Sequence, residues 1–284
     1  MRTDKLLKYF LLSAFFLLLI VFESRYTLSK DYAHIAEADL LKRNSNAAFE
    51  SAKHAIIFNI HNEQAYAVMA KLYLMLFEQT HNKDAFHTAF VAIRNAINND
   101  PYEAFYYDFA GLLYLSNNDY NNAVRMYEIA ITLYPHYLYF QNQLALLYHL
   151  TGKNDKALAI LDDQSKLYKD YVYASHPDSI DIVNAYFLKA CIFYKTDKYN
   201  NTLDTLGKII AIAQTGISLN NPERRDKRTI TLPQIKALAQ FDMGIIYKKL
   251  GERSKAQTFF TESYNAIPAL KGNNSFLLVF NICE

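Results

Sequence analysis

A chain of 284 residues with 51% hydrophobic content is long enough to bury one or two ordinary cores. Seven glycines and six prolines are too few for glycine-rich phosphate loops or a turn-dense β fold, and a net charge of +2 with no long basic stripe gives no reason to expect a nucleic-acid partner. Two cysteines, Cys191 and Cys283, make no disulfide framework. With no C-x-x-C motif, they read as unpaired buried thiols.

Arg2, Lys5 and Lys8 lie near the start, followed by an apolar run over 9–22. Leu6 and Leu7 extend the run beyond Lys8, whose side chain can snorkel to the headgroups. The run is shorter than a typical ~20-residue span, and three readings compete: a cleaved signal peptide, an uncleaved anchor, or a buried core helix. It has no polar face, which argues against the core helix. Its exit, Val21-Phe22-Glu23-Ser24-Arg25-Tyr26, offers no small-x-small cleavage site and no cysteine for lipid attachment. The preferred reading is a single-pass anchor over residues 6–22 within an N-terminal segment 1–24. The basic N-terminus then faces the cytoplasm and residues 25–284 lie on the other side, which is the periplasm if the host is Gram-negative.

Beyond the anchor, one pattern recurs. Between Pro101 and Pro135, Tyr107, Gly111 and Tyr114 fall at i, i+4, i+7 on a first helix. Ser116-Asn117-Asn118-Asp119 is a turn with Asp119 as N-cap, and Ala123, Tyr127 and Ala130 repeat the spacing on a second helix. Small residues let the two helices approach, and the rings fill the space beside the contact. Tyr66, Ala70 and Tyr73 open an earlier copy that closes at Pro101, with about seven extra residues near 79–85. Leu144, Ala145 and Tyr148 open a later one, with Gly152 in its turn. Gly244, Tyr247, Gly251, Ala256 and Phe260 form the last. Two copies are weaker: one begins at Tyr32, and one at Tyr186 carries Thr202 where alanine is usual. The set spans approximately 29–62, 63–103, 104–137, 138–171, 183–216 and 237–270. Longer insertions lie around 171–182 and 217–236. The second holds Glu223-Arg224-Arg225-Asp226-Lys227-Arg228 and reads as a solvated loop, a basic contact loop being the alternative. A stop signal follows Pro268, and the apolar tail 275–283 is expected to fold back as a cap within a C-terminal segment 271–284.

This pattern resembles the tetratricopeptide-repeat (TPR) family. The resemblance implies an all-α, right-handed superhelical solenoid of about six helix-turn-helix repeats over 25–270, preceded by the transmembrane helix. In that family the first helices line a concave groove. The positions matching that lining here are Ala33 and Glu37, Ala67 and Lys71, Asp108 and Leu112, Asn142 and Leu146, Phe187 and Cys191, and Phe241 and Ile245. The protein-binding residues expected from the resemblance are Lys71, Asp108, Leu112, Asn142, Leu146, Phe187, Cys191, Phe241 and Ile245. Only Asn142 and Lys71 match the types that clamp a terminal carboxylate in some members, and they sit in different repeats, so a carboxylate clamp is not expected. The groove is expected to be mixed near the membrane and apolar and open to water in its distal half, unless the superhelix or the tail covers some of those residues.

No catalytic constellation emerges. There is no G-x-S-x-G or H-E-x-x-H, and Gly152-Lys153 lacks the rest of a phosphate loop. His34 and Glu37 share a helix face but make only two ligands, short of a zinc site. Asp162 and Asp163 are adjacent and so point to different faces. Two N-x-[ST] triplets, at Asn200 and Asn273, matter only if the host glycosylates exported proteins. The expectation is a non-enzyme without cofactor or metal: a membrane-anchored scaffold binding another protein, by family analogy in pilus, secretion or surface-polysaccharide assembly. Its partners would be envelope proteins and the bilayer, with no nucleic acid and no small-molecule substrate. The alternative is a self-associating structural subunit.

Overall fold

The computed structural model describes residues 2–167, 179–214 and 231–272. All regular structure among them is helical. Twelve α-helices run in order: α1 (Arg2–Leu41), α2 (Ser45–Phe58), α3 (Glu63–Thr80), α4 (Lys83–Asn99), α5 (Ala104–Ser116), α6 (Tyr120–Leu133), α7 (Leu138–Leu150), α8 (Asn154–Leu167), α9 (Ser179–Lys195), α10 (Tyr199–Gln214), α11 (Leu232–Lys249) and α12 (Arg253–Ala266). A 3-10 turn follows at Pro268–Leu270. The extra residues near 79–85 go into longer helices, since α3 continues to Thr80 and α4 starts at Lys83. Most of the insertions at 171–182 and 217–236, and the tail at 275–283, lie outside the described residues.

The helices follow one another as six antiparallel pairs, and each pair turns through one left-handed residue. These are Arg43, His81, Asn118, Gly152, Asp197 and Gly251, with φ between 54° and 79°. Only two are glycine. In five turns the amide after the left-handed residue reaches back to a carbonyl of the preceding helix, as in Asp119 N to Tyr114 O at 2.9 Å and Lys198 N to Phe193 O at 2.9 Å. That bond satisfies a carbonyl the helix end would leave exposed. Asp119 then caps α6, its Oδ1 accepting from Asn122 N at 3.2 Å, as its position in the turn suggested.

The chain divides into two compact units, Met1–Leu133 and Tyr134–Glu284. In the first unit, α1 pairs with α2, α3 with α4, and α5 with α6. The contacts between helices are made by small residues: Ala67, Ala70, Ala89, Ala92, Ala96 and Ala110 are all nearly or fully buried. Rings fill the flanks in a row, Phe77 to Phe86 at 4.8 Å, Phe86 to Phe90 at 5.1 Å, and Phe90 to Tyr114 at 4.9 Å between centroids. Close backbone approach with rings beside it reconciles short interhelical distances with native packing density.

A polar node ties the first three helices. Asn62 is buried; its Oδ1 caps α3 by accepting from Ala65 N at 2.8 Å, and its Nδ2 donates to Ser29 Oγ at 2.8 Å and Ser29 O at 3.2 Å. The Ser29 hydroxyl donates in turn to Ala55 O on α2 at 2.7 Å. Asn62→Ala removes the cap and strands the Ser29 groups, so it should cost about 1–3 kcal/mol. Denaturant unfolding of the full chain in detergent measures this, and an unchanged midpoint would refute a stabilising role for the node.

In the second unit, α7 pairs with α8, α9 with α10, and α11 with α12. Here the core is built from larger side chains, with Phe187, Leu206, Ile209, Phe241 and Ile246 all 0–1% exposed. Thr202, the departure from alanine, is fully buried. Its hydroxyl donates to Lys198 O at 3.0 Å, so the polar atom is satisfied within its own helix.

Cys191 is fully buried and disulfide-bonded, which corrects the expectation of an unpaired thiol. The other cysteine of the chain, Cys283, lies outside the described residues. Two isolated cysteines carry no local sequence signal for a disulfide.

Candidate functional site

In α1 the residues from Phe10 to Phe22 point outward, with Phe10, Leu17, Leu18, Ile20 and Phe22 each 63–70% exposed. Among the described residues this is the one helix long and apolar enough to cross a membrane, with a mean hydropathy of 1.7 over its apolar stretch. The expected boundary at 24/25 carries no break. The apolar segment and the first repeat helix are one 40-residue helix without glycine or proline.

The first unit presents a face built by α1, α3 and α5. Ala33 and Ala67 are buried where these helices meet, while Glu37, Lys71, Asp108 and Leu112 remain half-buried. The Gln64 amide donates to Glu37 Oε2 at 2.8 Å and lies 3.4 Å from His34 Nδ1. His34 and Glu37 thus share a hydrogen-bonding neighbour on α3. Asp108 accepts from the Tyr127 hydroxyl at 2.8 Å. Desolvation pushes its carboxyl up from 3.8 to about 6, against the lowering effects of the Tyr127 bond and the Lys71 charge. The Tyr106 phenol is also pushed up, first by burial and then by the charges of Glu63, Glu103, Asp100 and Glu37. The face is mixed and carries more acid than base.

In the second unit, Asn142 is 8% exposed and its Nδ2 donates to Asp181 O at 2.8 Å, joining α7 to the start of α9. Leu146 is half-buried against Ala145, Ala157, Leu161, Ala185, Leu188 and Ile192. Phe187, Cys191, Phe241 and Ile245 do not form an apolar surface open to water: they are 1%, 0%, 0% and 7% exposed, inside the core of this unit. The reason is the composition of α9 and α11. In α11 the four consecutive residues Ala239, Gln240, Phe241 and Asp242 are all buried, and four residues span more than a full turn. A helix covered on every side has no free groove face.

Two features of the site lie outside the repeat pattern. The Tyr127 hydroxyl links the second helix of its hairpin to Asp108 on the first, and Gln64 links α3 to Glu37 on α1. The only sequence signal for the first was a tyrosine where an apolar ring would suffice. Asp162 pairs with Lys189, which accounts for one member of the adjacent acidic pair.

Residues 106–137 match the family model described as a tetratricopeptide repeat. Among solved structures, the PilW type IV pilus biogenesis factor is similar at 15% identity, with a TM-score of 0.61, covering 84% of this chain and 94% of that one. PilF of Pseudomonas aeruginosa is similar at 17% identity, with a TM-score of 0.59, covering 86% and 94%. BtubC (BKLC) from P. vanneervenii is similar at 15% identity, with a TM-score of 0.58, covering 83% and 94%. At these identities the likeness is one of fold. No curated protein matches the sequence.

Proposed function

We infer that this tetratricopeptide-repeat protein is a membrane-anchored scaffold that holds another protein against the face of α1, α3 and α5. The observation that carries this reading is that face: Glu37, Lys71, Asp108 and Leu112 stay half-buried while Ala33, Ala36, Ala67, Ala70 and Ala110 on the same helices are buried. A row of mixed polar and apolar side chains left half-buried at the surface suits a helix or extended segment of a partner. Leu146 in the second unit is a further candidate contact. The outward apolar side chains of α1 support an anchor in the bilayer, with residues 25–284 on the non-cytoplasmic side by the positive-inside bias. The fold likeness to a type IV pilus biogenesis factor favours an assembly of the cell envelope, as an analogy of fold.

The test is quantitative capture in the native host, comparing the full chain with Leu112→Glu and Lys71→Glu. Burying one leucine at an interface is worth ~1.5–3 kcal/mol. Leu112→Glu should therefore weaken recovery of the partner about tenfold or more, with helical circular dichroism unchanged. If both variants fold and recover the same proteins equally well, this face is not the binding surface. A concentration-dependent oligomer in detergent, with no other protein recovered, would replace the scaffold by a self-associating subunit.

A further inference from the structure

We propose that the corner between α2 and α3 lies in the headgroup layer of the bilayer that α1 spans, so that the first unit is seated on the membrane rather than suspended beyond it. This rests on the membrane-anchored reading above. The argument begins with the continuity of α1, which has no glycine or proline at which to bend between its apolar segment and the repeat. Arg25 stands three residues after Phe22, about 4.5 Å further along the helix axis. Its Nη2 donates to Ile57 O at 3.0 Å and its Nε to Phe58 O at 3.4 Å. These bonds hold the C-terminal end of α2 level with the end of the apolar segment. The polar layer on each side of a bilayer is roughly 5–7 Å deep, so the corner falls within it.

The chemistry of the corner fits that layer. Ile57 and Ile60 are 56% and 63% exposed, and they have no role in the core. Much of the backbone around them is bonded within the protein: Arg25 takes the carbonyls of Ile57 and Phe58, Asn59 N donates to Ala55 O at 2.9 Å, Asn59 Oδ1 accepts from His61 N at 3.0 Å, and Asn62 N donates to Asn59 O at 3.1 Å. The fewer backbone groups left open, the less the corner loses when part of its water is replaced by headgroups. Tyr26, on the next turn of α1, is 40% exposed with the Lys30 ammonium 4.6 Å from its ring centroid, a pairing suited to the interface. The surface also continues: His61 lies 2.9 Å from Asn99 Oδ1, which brings the α4–α5 corner alongside with Tyr102 77% exposed.

The chain contains no tryptophan, so a single introduced indole reports its own depth. Full-length Leu18→Trp, Ile60→Trp and Leu41→Trp are reconstituted in phosphatidylcholine vesicles, with and without bromine near the top of the acyl chains. All three positions are exposed side chains. Quenching of Leu18→Trp tests the anchor itself. Leu41→Trp, 19 residues or roughly 28 Å beyond Phe22 along α1, should stay in water. The proposal expects Ile60→Trp to emit to the blue of Leu41→Trp and to lose about half its intensity or more to the brominated lipid, as interfacial indoles do. If Leu18→Trp is quenched while Ile60→Trp behaves like Leu41→Trp, the corner stands in water and the proposal is wrong while the anchor survives. If Leu18→Trp is not quenched, the anchor fails and the proposal falls with it. Equal quenching at Leu41→Trp would also overturn it, since the contact would not be confined to the corner.

Discussion

Gly111→Ala should destabilise the first unit by about 1–3 kcal/mol although alanine is the better helix former. A Cβ at this position would lie 2.7 Å from Tyr127 Cε2 and 3.1 Å from Cδ2. The ring has no room to withdraw, because Tyr127 is fully buried and its hydroxyl is held by Asp108. Gly244 makes the same approach to Phe260 in the second unit, with a Cβ 2.7 Å from Cε1. Phe260 is only half-buried and has no polar tether, so Gly244→Ala should cost less. Gly207 is the control: it sits inside α10 with nothing within 4 Å of a Cβ. Gly207→Ala should stabilise by roughly 0.5–1 kcal/mol. Hydrogen exchange of α5 and α6, of α11 and α12, and of α10 in the full chain reads the three in turn. If Gly111→Ala protects α5 as Gly207→Ala protects α10, the close approach is not a constraint.

Asp108→Asn should stabilise the protein at neutral pH and do little near pH 4. The folded carboxyl titrates at about 6 against an ordinary 3.8, so the folded state binds the proton more tightly than the unfolded chain. The contribution of Asp108 is therefore most favourable below 3.8 and is lost as pH rises through 6. The full shift corresponds to up to about 3 kcal/mol at neutral pH. Asparagine keeps a carbonyl to accept the Tyr127 hydroxyl and never pays the desolvation of a charge. Denaturant midpoints of both proteins at pH 4 and pH 7.5 make the comparison. A destabilisation by Asp108→Asn that is larger at pH 7.5 than at pH 4 would mean that the carboxylate is stabilised where it sits.

The helical pairs were legible because their signals are local. Gly111, Tyr127 and their equivalents recur at helical spacing, and Asn118-Asp119 or Gly152 mark the reversals. A reversal needs only one residue that tolerates positive φ and one amide to reach back, and both lie within a few residues of each other. Arg43, His81 and Asp197 adopt the same conformation without being glycine or asparagine, so those three turns were set by the helices on either side. Thr202 broke the alanine pattern without harm because its hydroxyl could bond its own helix.

The sequence by itself determined the helical hairpins, their order, the outward apolar segment and the small-and-aromatic contact inside each pair, all of which are settled by residues less than about forty apart. Only the tertiary structure decided which helix faces meet water. Phe187, Cys191, Phe241 and Ile245 occupy groove positions by phase, yet α9 and α11 are covered all round and those side chains are core. Phase tells which residues share a face; it does not tell how many neighbours a helix has. The Asp108–Tyr127 bond and the Arg25 clamp on α2 belong to the same class. Each joins groups brought together by the packing of helices, and their chemistry follows from burial and distance, which a linear pattern does not contain.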